Sequence, residues 1–405
     1  MKKFYLFTLL CLLASGVAAQ TLKIHTGAIT TAVPAAEAGE MLYSADGTAL
    51  TVMGRTYLVS EIDSITADRS QVAPASVAVS YEGASARVLV AADVAPQLSI
   101  TVSGADVVVY ADAALETEVT YALSGASTDG SFFMEGEYKS TLVLNNLTLS
   151  NTRGAAIDIA NGKRLSVVIP TGTVTTLSDG VGGTHKACFF VNGHPEFEGG
   201  GTLQMVGNTK HAFASDEYTE LKSDFGKILV TKAVGDGMHI EQYFEMKGGD
   251  INISGTGGDC IDVSVTKDPA DELNGQVFIE GGSITMDVAA EDVKGLKSDD
   301  LISITGGTIK ASVSGNGTKG ISSGTDLLIT QPTATATWIE MSVTGTTYMP
   351  NDPELESKCR GIKVKGDFTF DGGTIRISAT GKKSKAISVD GIYTYKSGSI
   401  NCAVD

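Results

Sequence analysis

Apolar and polar residues alternate in short stretches that recur through the C-terminal part of the chain, each centred on a glycine-containing turn. The positions four and two residues before each turn, and three residues after it, are apolar or aromatic. Such period-two patterns predict strands with one side facing an interior, and the glycines mark corners where no side chain fits. The three sets are Phe244, Val277, Ile302, Phe368 and Tyr393; Met246, Ile279, Ile304, Phe370 and Tyr395; and Ile251, Ile284, Ile309, Ile375 and Ile400.

A second set of positions fixes the repeat length. Small residues recur with shorter spacings of 23 to 25 residues, and the longer spacings contain insertions such as 266–276 and 346–357. A period in the twenties is typical of solenoids. The pattern predicts an all-β fold, a parallel β-helix of about a dozen coils. The aligned residues are Ala156, Cys188, Ala212, Gly237, Cys260, Gly295, Gly320, Gly361 and Ala386.

The N-terminal region does not follow the repeat. Lys2-Lys3, an apolar run and the small residues before Gln20 predict a signal peptide over residues 1–19, so we expect an exported protein, either periplasmic, on the cell surface or secreted. The apolar run is too short to cross a bilayer, and nothing later predicts a transmembrane segment. Residues 20–100 predict a small β module with hairpins over 41–52 and 77–91, which caps the repeat domain, residues 101–405, or spaces it from the cell.

Composition and charge narrow the functional classes. The formal net charge of -17 becomes -19 when Lys2 and Lys3 are lost with the leader, which argues against a nucleic-acid partner. An acidic surface suits divalent cations, although it also serves solubility alone. The chain has 47 glycines and 9 prolines, as expected for many tight turns. We expect the four cysteines of the mature chain to fill core positions: Cys188, Cys260, Cys359 and Cys402.

Three aspartates form a candidate metal site. Asp236 and Asp259 directly precede aligned positions on adjacent repeats, roughly 5 Å apart, and Asp262 follows three residues later. Carboxylates at that distance repel unless a cation lies between them, and Ca²⁺ prefers oxygen ligands. The alternative is that an aspartate before a turn simply supports the turn.

On the next four repeats, the residue directly before the aligned position is positively charged instead of negatively charged: Lys294, Lys319, Arg360 and Lys385. Stacked like charges are costly unless anions intervene. One interpretation is a polyanion, such as a polyuronate bridged by calcium, lying along the column. The other is a salt-bridged face neutralised by nearby aspartates, among them Asp292, Asp299 and Asp300. Trp338, Tyr348 and Tyr243 either stack on sugar rings or belong to the packing.

The order of several motifs is similar to that of a known family. From about Thr101 to Asp405 the chain resembles the secreted carbohydrate-binding β-helix domains of clostridia and Bacteroidetes. The resemblance implies a right-handed parallel β-helix, related in fold to pectate lyases, with calcium and with binding of cellulose or acidic pectic polysaccharide. The motifs are Leu123-Ser124-Gly125, Asp129-Gly130, Thr141 to Asn145, Leu177 to Gly180, Gly200 to Leu203, and repeated Gly-Gly-x-Ile with Lys-Gly-Ile.

Three functions remain open at this point. The first is non-catalytic, calcium-associated binding of a polysaccharide. The second is a calcium-dependent polysaccharide lyase, with Asp236, Asp259 and Asp262 as ligands and Lys294 as the base that removes the proton next to a uronate carboxylate. The third is a structural or adhesive surface protein. A lysine is a poor base unless burial or neighbouring cations lower its pKa, so the sequence favours binding.

Overall fold

The structure is a computed structural model that describes residues 20–36, 38–39, 41–331, 336–350, 354 and 356–404. The predicted signal peptide, residues 1–19, lies outside the described residues. The described chain consists of β-strands and turns, with short 3-10 helices at Val59–Glu61 and Ala95–Gln97, which confirms the all-β class. Within the described ranges no helix is long and apolar enough to span a membrane.

The strands of the N-terminal region are β1 (Thr21–Thr26), β2 (Ile29–Pro34), β3 (Leu42–Tyr43), β4 (Ala49–Val52), β5 (Arg55–Leu58), β6 (Ser64–Asp68), β7 (Ser76–Glu82), β8 (Ser85–Ala91), β9 (Leu98–Ser103) and β10 (Asp106–Ala111). The next strands are β11 (Val119–Ser127), β12 (Ser131–Glu135), β13 (Ser140–Ser150), β14 (Ile157–Ile159), β15 (Leu165–Val168), β16 (Val174–Ser178), β17 (Ala187–Val191), β18 (Pro195–Glu198), β19 (Thr202–Gly207), β20 (His211–Ser215), β21 (Thr219–Leu221), β22 (Lys227–Ala233), β23 (Met238–Glu241), β24 (Tyr243–Met246), β25 (Asp250–Ile253) and β26 (Ile261–Ser264). The last are β27 (Gln276–Ile279), β28 (Ser283–Val288), β29 (Lys294–Ser298), β30 (Ile302–Ile304), β31 (Thr308–Val313), β32 (Lys319–Ser323), β33 (Leu327–Thr330), β34 (Trp338–Val343), β35 (Arg360–Val364), β36 (Phe368–Ala379), β37 (Lys385–Val389) and β38 (Tyr393–Val404).

A typical repeat contributes three strands, each paired in parallel with its counterpart in the next repeat. The strands β24, β25 and β26, for example, pair with β27, β28 and β29. We call the surfaces formed by the first, second and third strands faces A, B and C. Face C belongs to a 12-stranded sheet, and faces A and B to a 23-stranded sheet. Met238, Ile261 and Leu296 lie opposite one another in face C, which confirms the predicted repeat alignment.

The apolar sets predicted around the glycine turns fill one continuous core. Four of the five members of each set are buried, and burial of each such side chain contributes roughly 1.5–3 kcal/mol. The last repeat departs from the prediction, because Tyr393 and Tyr395 are 47% and 54% exposed. No described strand pairs with the far side of β38, so these rings pack on one side only, against Phe368 and Phe370.

The glycine turns form tight corners, as expected. Gly282 has a φ of +79°, and a Cβ added there would lie 2.4 Å from the carbonyl oxygen of Gly249 in the preceding repeat. A larger residue would therefore push the two repeats apart.

The cysteines divide into two groups. Cys188, Cys260 and Cys359 are buried free thiols, which confirms their prediction as core residues, and burial raises the pKa of Cys260 to about 12. Cys402 is exposed on β38, so its prediction as a core residue is wrong. The reason is the same as for the tyrosines, because no described strand covers β38.

Both N-terminal hairpins are confirmed. The strands β3 and β4 pair antiparallel, as do β7 and β8. The strand β7 also pairs in parallel with β11, so this hairpin covers the first repeat of the large sheet and shares the main core. A smaller separate core lies around Leu22, Leu50 and Tyr57.

Candidate functional site

Face C carries two adjacent rows of side chains that run from repeat to repeat. Row 1 consists of His211, Asp236, Asp259, Lys294, Lys319, Arg360 and Lys385, in register on successive repeats. Row 2, three residues further along the chain, consists of Ala214, His239, Asp262, Lys297, Ser322, Lys363 and Ser388. The predicted aspartates and the predicted cations therefore do share one column.

In the first half of row 1, each side chain accepts a hydrogen bond from the backbone of the next repeat. The Asp236 N–H donates to His211 Nδ1 at 3.0 Å, the Asp259 N–H to Asp236 Oδ1 at 2.7 Å, and the Lys294 N–H to Asp259 Oδ1 at 2.7 Å. Buried N–H groups need such partners, and here the side chain supplies what a strand carbonyl would otherwise provide. Asp236 and Asp259 thus support the backbone of the next repeat, which differs from the turn-supporting role that the sequence offered as an alternative.

In the second half of row 1, backbone carbonyls take over. The N–H groups of Lys319, Arg360 and Lys385 donate to carbonyl oxygens of the preceding repeat, at 3.1, 2.9 and 3.2 Å. No side-chain acceptor is required at these positions, so a cation can occupy them. Row 1 is therefore acidic where its side chains accept the N–H groups of the next repeat, and basic where backbone carbonyls accept them.

A histidine–aspartate cluster joins the two rows. Asp236 Oδ2 lies 3.1 Å from His211 Nδ1 and 3.2 Å from His239 Nδ1, and His239 Nδ1 lies 2.9 Å from Asp262 Oδ2. Asp262 Oδ1 in turn accepts from the Lys297 ammonium at 2.6 Å. The two imidazole rings are stacked, with centroids 4.6 Å apart. The charges of this cluster are therefore largely satisfied by one another.

Burial and hydrogen bonding set the protonation states of the cluster. Burial opposes charge on every member, but hydrogen bonds outweigh it at Asp236 and Asp262, whose pKa values are lowered, and at His239, whose pKa rises to about 9. At His211 burial dominates and lowers the pKa. Burial, with the neighbouring carboxylates, raises the pKa of Asp259 to about 6, and its second oxygen has no partner among the described residues.

The two middle cations of row 1 point into the protein. The Arg360 guanidinium is buried and donates to the Cys359 carbonyl at 2.6 Å. The Lys319 ammonium is mostly buried and donates to the Gly317 carbonyl at 2.7 Å. Burial lowers the pKa of both groups. Neither is free to meet a polymer in solution.

The two outer cations remain accessible. The Lys294 ammonium donates to the Asp292 carbonyl at 3.0 Å, and the Asp292 carboxylate lies 3.4 Å from the Lys319 ammonium. Lys385 is exposed and forms no ion pair with any described residue. Row 1 therefore presents two separated cations to solvent instead of a continuous column.

Two of the three aromatic candidates lie on other faces, whereas Tyr348 pairs with Ser357, whose hydroxyl accepts a hydrogen bond from Lys319 of row 1. Tyr243 is on face A, where its ring is stacked on Tyr218 at 4.5 Å, so one side of the ring is covered. Trp338 is half-buried on face B, with the Arg376 guanidinium 4.5 Å from the ring centroid. The structure does not bring either ring to row 1.

Face A also carries a compact charge cluster beside Tyr243. The Glu220 carboxylate accepts from the Lys222 and Lys247 ammonium groups, each at 2.6 Å. Burial raises the pKa of Glu220, but these hydrogen bonds outweigh it and lower the pKa overall.

A groove of about 560 Å³ crosses face B over six adjacent strands, β22, β25, β28, β31, β34 and β36. At about 4.8 Å per strand it is roughly 24 Å long. Its floor is the backbone at Met286, Ala311 and Met341, whose side chains point into the core. Two rows of polar side chains line it: Asn252, Thr285, Lys310 and Glu340 in the first, and Ser254, Asp287, Ser312, Ser342 and Ser378 in the second.

The charged groups that line this groove form no ion pairs within the described residues. Lys310 and Glu340 are neighbours on adjacent strands but do not pair with each other, and Arg376, next in the same row, lies over the Trp338 ring. Asp287 and the hydroxyl groups of the three serines beyond it also have no hydrogen-bond partner within the described part of the chain. The groove thus presents free donors and acceptors along its length.

The sequence reasoning missed two features. His211 directly precedes the aligned Ala212, and His239 occupies the position of Asp262 one repeat earlier, so the repeat alignment itself could have identified both histidines. The groove gave a weaker signal, a run of short polar residues at the same position of successive strands. That run resembles any solvent-facing strand pattern.

Comparison with known proteins was informative at the level of family and fold. A family model described as "Carbohydrate-binding domain-containing protein" matches residues 103–404. No curated protein sequence matches the chain. A solved structure described as the gadolinium derivative of a polysaccharide lyase-like protein from C. thermocellum matches with 22% identity and a TM-score of 0.52, covering 65% of this chain and 99% of that chain. The protein belongs to the carbohydrate-binding domain family.

Proposed function

We propose that this protein binds a polysaccharide without cleaving it, and that the polysaccharide lies in the groove of face B. One observation carries the proposal: free polar side chains line a groove that crosses six repeats. Sugar polymers are recognised through many hydroxyl groups, which need unpaired donors and acceptors. The family assignment supports the same class of ligand.

The charges of the groove favour a neutral, cellulose-like chain. Among the residues that line the groove, Asp287 and Glu340 are negative and Lys310 is positive, and Arg376, which lies next to Glu340 on β36, brings the formal sum to zero. A polyuronate would meet the two carboxylates at a cost. Trp338 lies beside the groove on the same strand as Glu340, where its partly exposed ring can contact a sugar.

The calcium-associated, acidic mode that the sequence suggested would use face C. Asp259 is the best candidate ligand, because its second oxygen has no protein partner among the described residues. Asp236 and Asp262 are nearby but are already bonded to His239, and Asp262 also to Lys297. Lys294, on the next repeat, would meet a uronate carboxylate. We further propose that the repeats form a right-handed parallel β-helix and that the protein is exported.

The lyase alternative requires a neutral amine beside the metal. Lys294 is the row 1 lysine closest to Asp259, but its side-chain nitrogen is already bonded to the Asp292 carbonyl. Lys319 has a pKa lowered by burial, yet it is held by Gly317 and Asp292 away from solvent. These contacts favour binding over β-elimination.

Retention on immobilised glycans tests the proposal. The purified protein is passed over cellulose and over polygalacturonate, with calcium or with a chelator, and absorbance of an unsaturated product is followed in parallel. We expect retention on the neutral glycan that is unaffected by the chelator, and no product. Product formation that Lys294→Ala abolishes would establish the lyase, and no retention on any glycan would favour a structural protein.

Two matched substitutions locate the binding surface. Ser342→Trp fills the groove on face B, whereas Ser322→Trp adds the same bulk to row 2 on face C. We expect Ser342→Trp to weaken retention at least about tenfold, equivalent to about 1.4 kcal/mol, and Ser322→Trp to leave it unchanged. If instead Ser322→Trp weakened retention and Ser342→Trp did not, and the protein were retained only on polygalacturonate in the presence of calcium, binding would be at Asp259 and Lys294.

A further inference from the structure

We propose that His211, Asp236 and His239 form a binding site for a divalent transition metal of the zinc type. This site is distinct from the calcium mode at Asp259, and it does not depend on polysaccharide binding. The three residues come from adjacent repeats, and the donor atoms all lie within 4.8 Å of one another. They are also the part of rows 1 and 2 in which imidazoles and a carboxylate meet.

The distances suit a small tetrahedral ion. Asp236 Oδ2 lies 3.1 Å from His211 Nδ1 and 3.2 Å from His239 Nδ1. Ligands bound to zinc at 2.0–2.1 Å in a tetrahedron are about 3.3 Å from each other. Asp262 Oδ2, 2.9 Å from His239 Nδ1, offers a fourth ligand, and otherwise water would complete the set.

The donor types distinguish this site from a calcium site. Calcium is bound by oxygen atoms in sets of six to eight, whereas imidazole nitrogen suits zinc, copper, nickel and iron. Two of the three donors here are imidazole nitrogens. A hard cation would gain little from His211 and His239.

The cluster holds an electrostatic conflict that a cation would relieve. Because the Asp236 N–H donates to His211 Nδ1, that nitrogen carries a lone pair and the ring proton is on Nε2. The bare Nδ1 then faces Asp236 Oδ2 at 3.1 Å, so two acceptors meet. His211 Nε2 is buried and has no partner among the described residues, which adds to the strain on this ring. A metal bound at Nδ1 would take the lone pair that now accepts the Asp236 N–H, and it would place a cation beside Asp236 Oδ2 in place of a second acceptor.

Occupation of the site requires one ring to move. The two imidazoles are nearly parallel, with an interplanar angle of 12°, so their lone pairs lie side by side without converging. His211 is fixed by burial and by the backbone contact, whereas the His239 side chain is 25% exposed. His239 Nδ1 already lies 3.2 Å from Asp236 Oδ2, so rotation of its ring alone would bring its lone pair towards the ion.

Titration of the metal-free protein with Zn²⁺, followed by calorimetry, tests the proposal. Co²⁺ provides a second readout, because a tetrahedral cobalt site absorbs visible light much more strongly than an octahedral one. We expect one ion per chain. A folded protein that binds neither ion would overturn the proposal.

Single substitutions separate this site from the calcium mode. We expect His239→Gln and Asp236→Asn to weaken zinc binding at least about 100-fold, because outer-shell partners alone are worth roughly 10- to 100-fold. Asp259→Asn is the matched control: its amide oxygen can still accept the Lys294 N–H, so zinc binding should be unchanged. His239→Gln is the decisive variant, since the partly exposed side chain can be replaced without loss of fold, checked by circular dichroism. Unchanged zinc affinity in this variant would show an adventitious surface ion and refute the site.

Discussion

Rows 1 and 2 on face C and the groove on face B are built from the same kinds of residue, yet their charges behave differently. On face C, carboxylates, imidazoles and ammonium groups are partly buried and bonded to one another or to the backbone. On face B, Asp287, Lys310 and Glu340 are exposed and have no partners among the described residues. A row of charges therefore offers free groups to a polysaccharide only where the fold leaves those charges unpaired.

Removal of a carboxylate that is hydrogen-bonded within the face C cluster should have the largest effect on the free energy of unfolding. Asp236→Ala leaves the Asp259 N–H without an acceptor and His239 without one of its two anions, so we expect a loss of about 3 kcal/mol in the free energy of unfolding. Asp287→Ala in the groove should change it by less than about 0.5 kcal/mol. Urea denaturation of both variants, in metal-free buffer, measures the difference. Equal losses would remove the distinction between the two faces.

A smaller effect, with a defined pH dependence, is expected from the face A cluster. The pKa of Glu220 is lowered below its ordinary value of 4.5, so its contribution to stability is present above that pH and is lost as the pH falls through the folded-state pKa. Glu220→Gln should therefore cost about 2 kcal/mol at pH 7 and little at pH 3. Glu340→Gln, the matched change at a groove carboxylate without an ion pair, should cost less than about 0.5 kcal/mol at pH 7. Urea midpoints of both variants, measured from pH 3 to pH 7, test this prediction. Equal losses of stability in the two variants would contradict it.

The smallest effects separate the two aromatic residues. Trp338→Ala should weaken glycan retention roughly fivefold, or about 1 kcal/mol, with little change in the thermal midpoint. Tyr243→Leu should leave retention unchanged and cost about 1 kcal/mol in stability, because it removes a stacked ring pair. Affinity electrophoresis and thermal unfolding of both proteins test this. Loss of retention in the Tyr243 variant would move the binding surface to face A.

The comparison also shows which parts of the site were predictable. The repeat alignment placed Asp236, Asp259 and the four cations in one column, and the structure confirms that column. Whether a member of the column faces solvent was not predictable. Arg360 is turned inward to the Cys359 carbonyl while Lys385 is exposed, although both directly precede a small residue in the alignment.

The sequence by itself determined the all-β class, the repeat length, the core positions and the rows in which functional side chains stand. Period-two alternation and glycine corners are local properties, and stacking of equal repeats carries them into register. Only the tertiary structure decided which charges are paired, because pairing depends on whether a backbone carbonyl or a side chain meets each N–H of the next repeat. It also decided that Tyr393, Tyr395 and Cys402 are exposed, since burial requires a neighbouring strand on both sides.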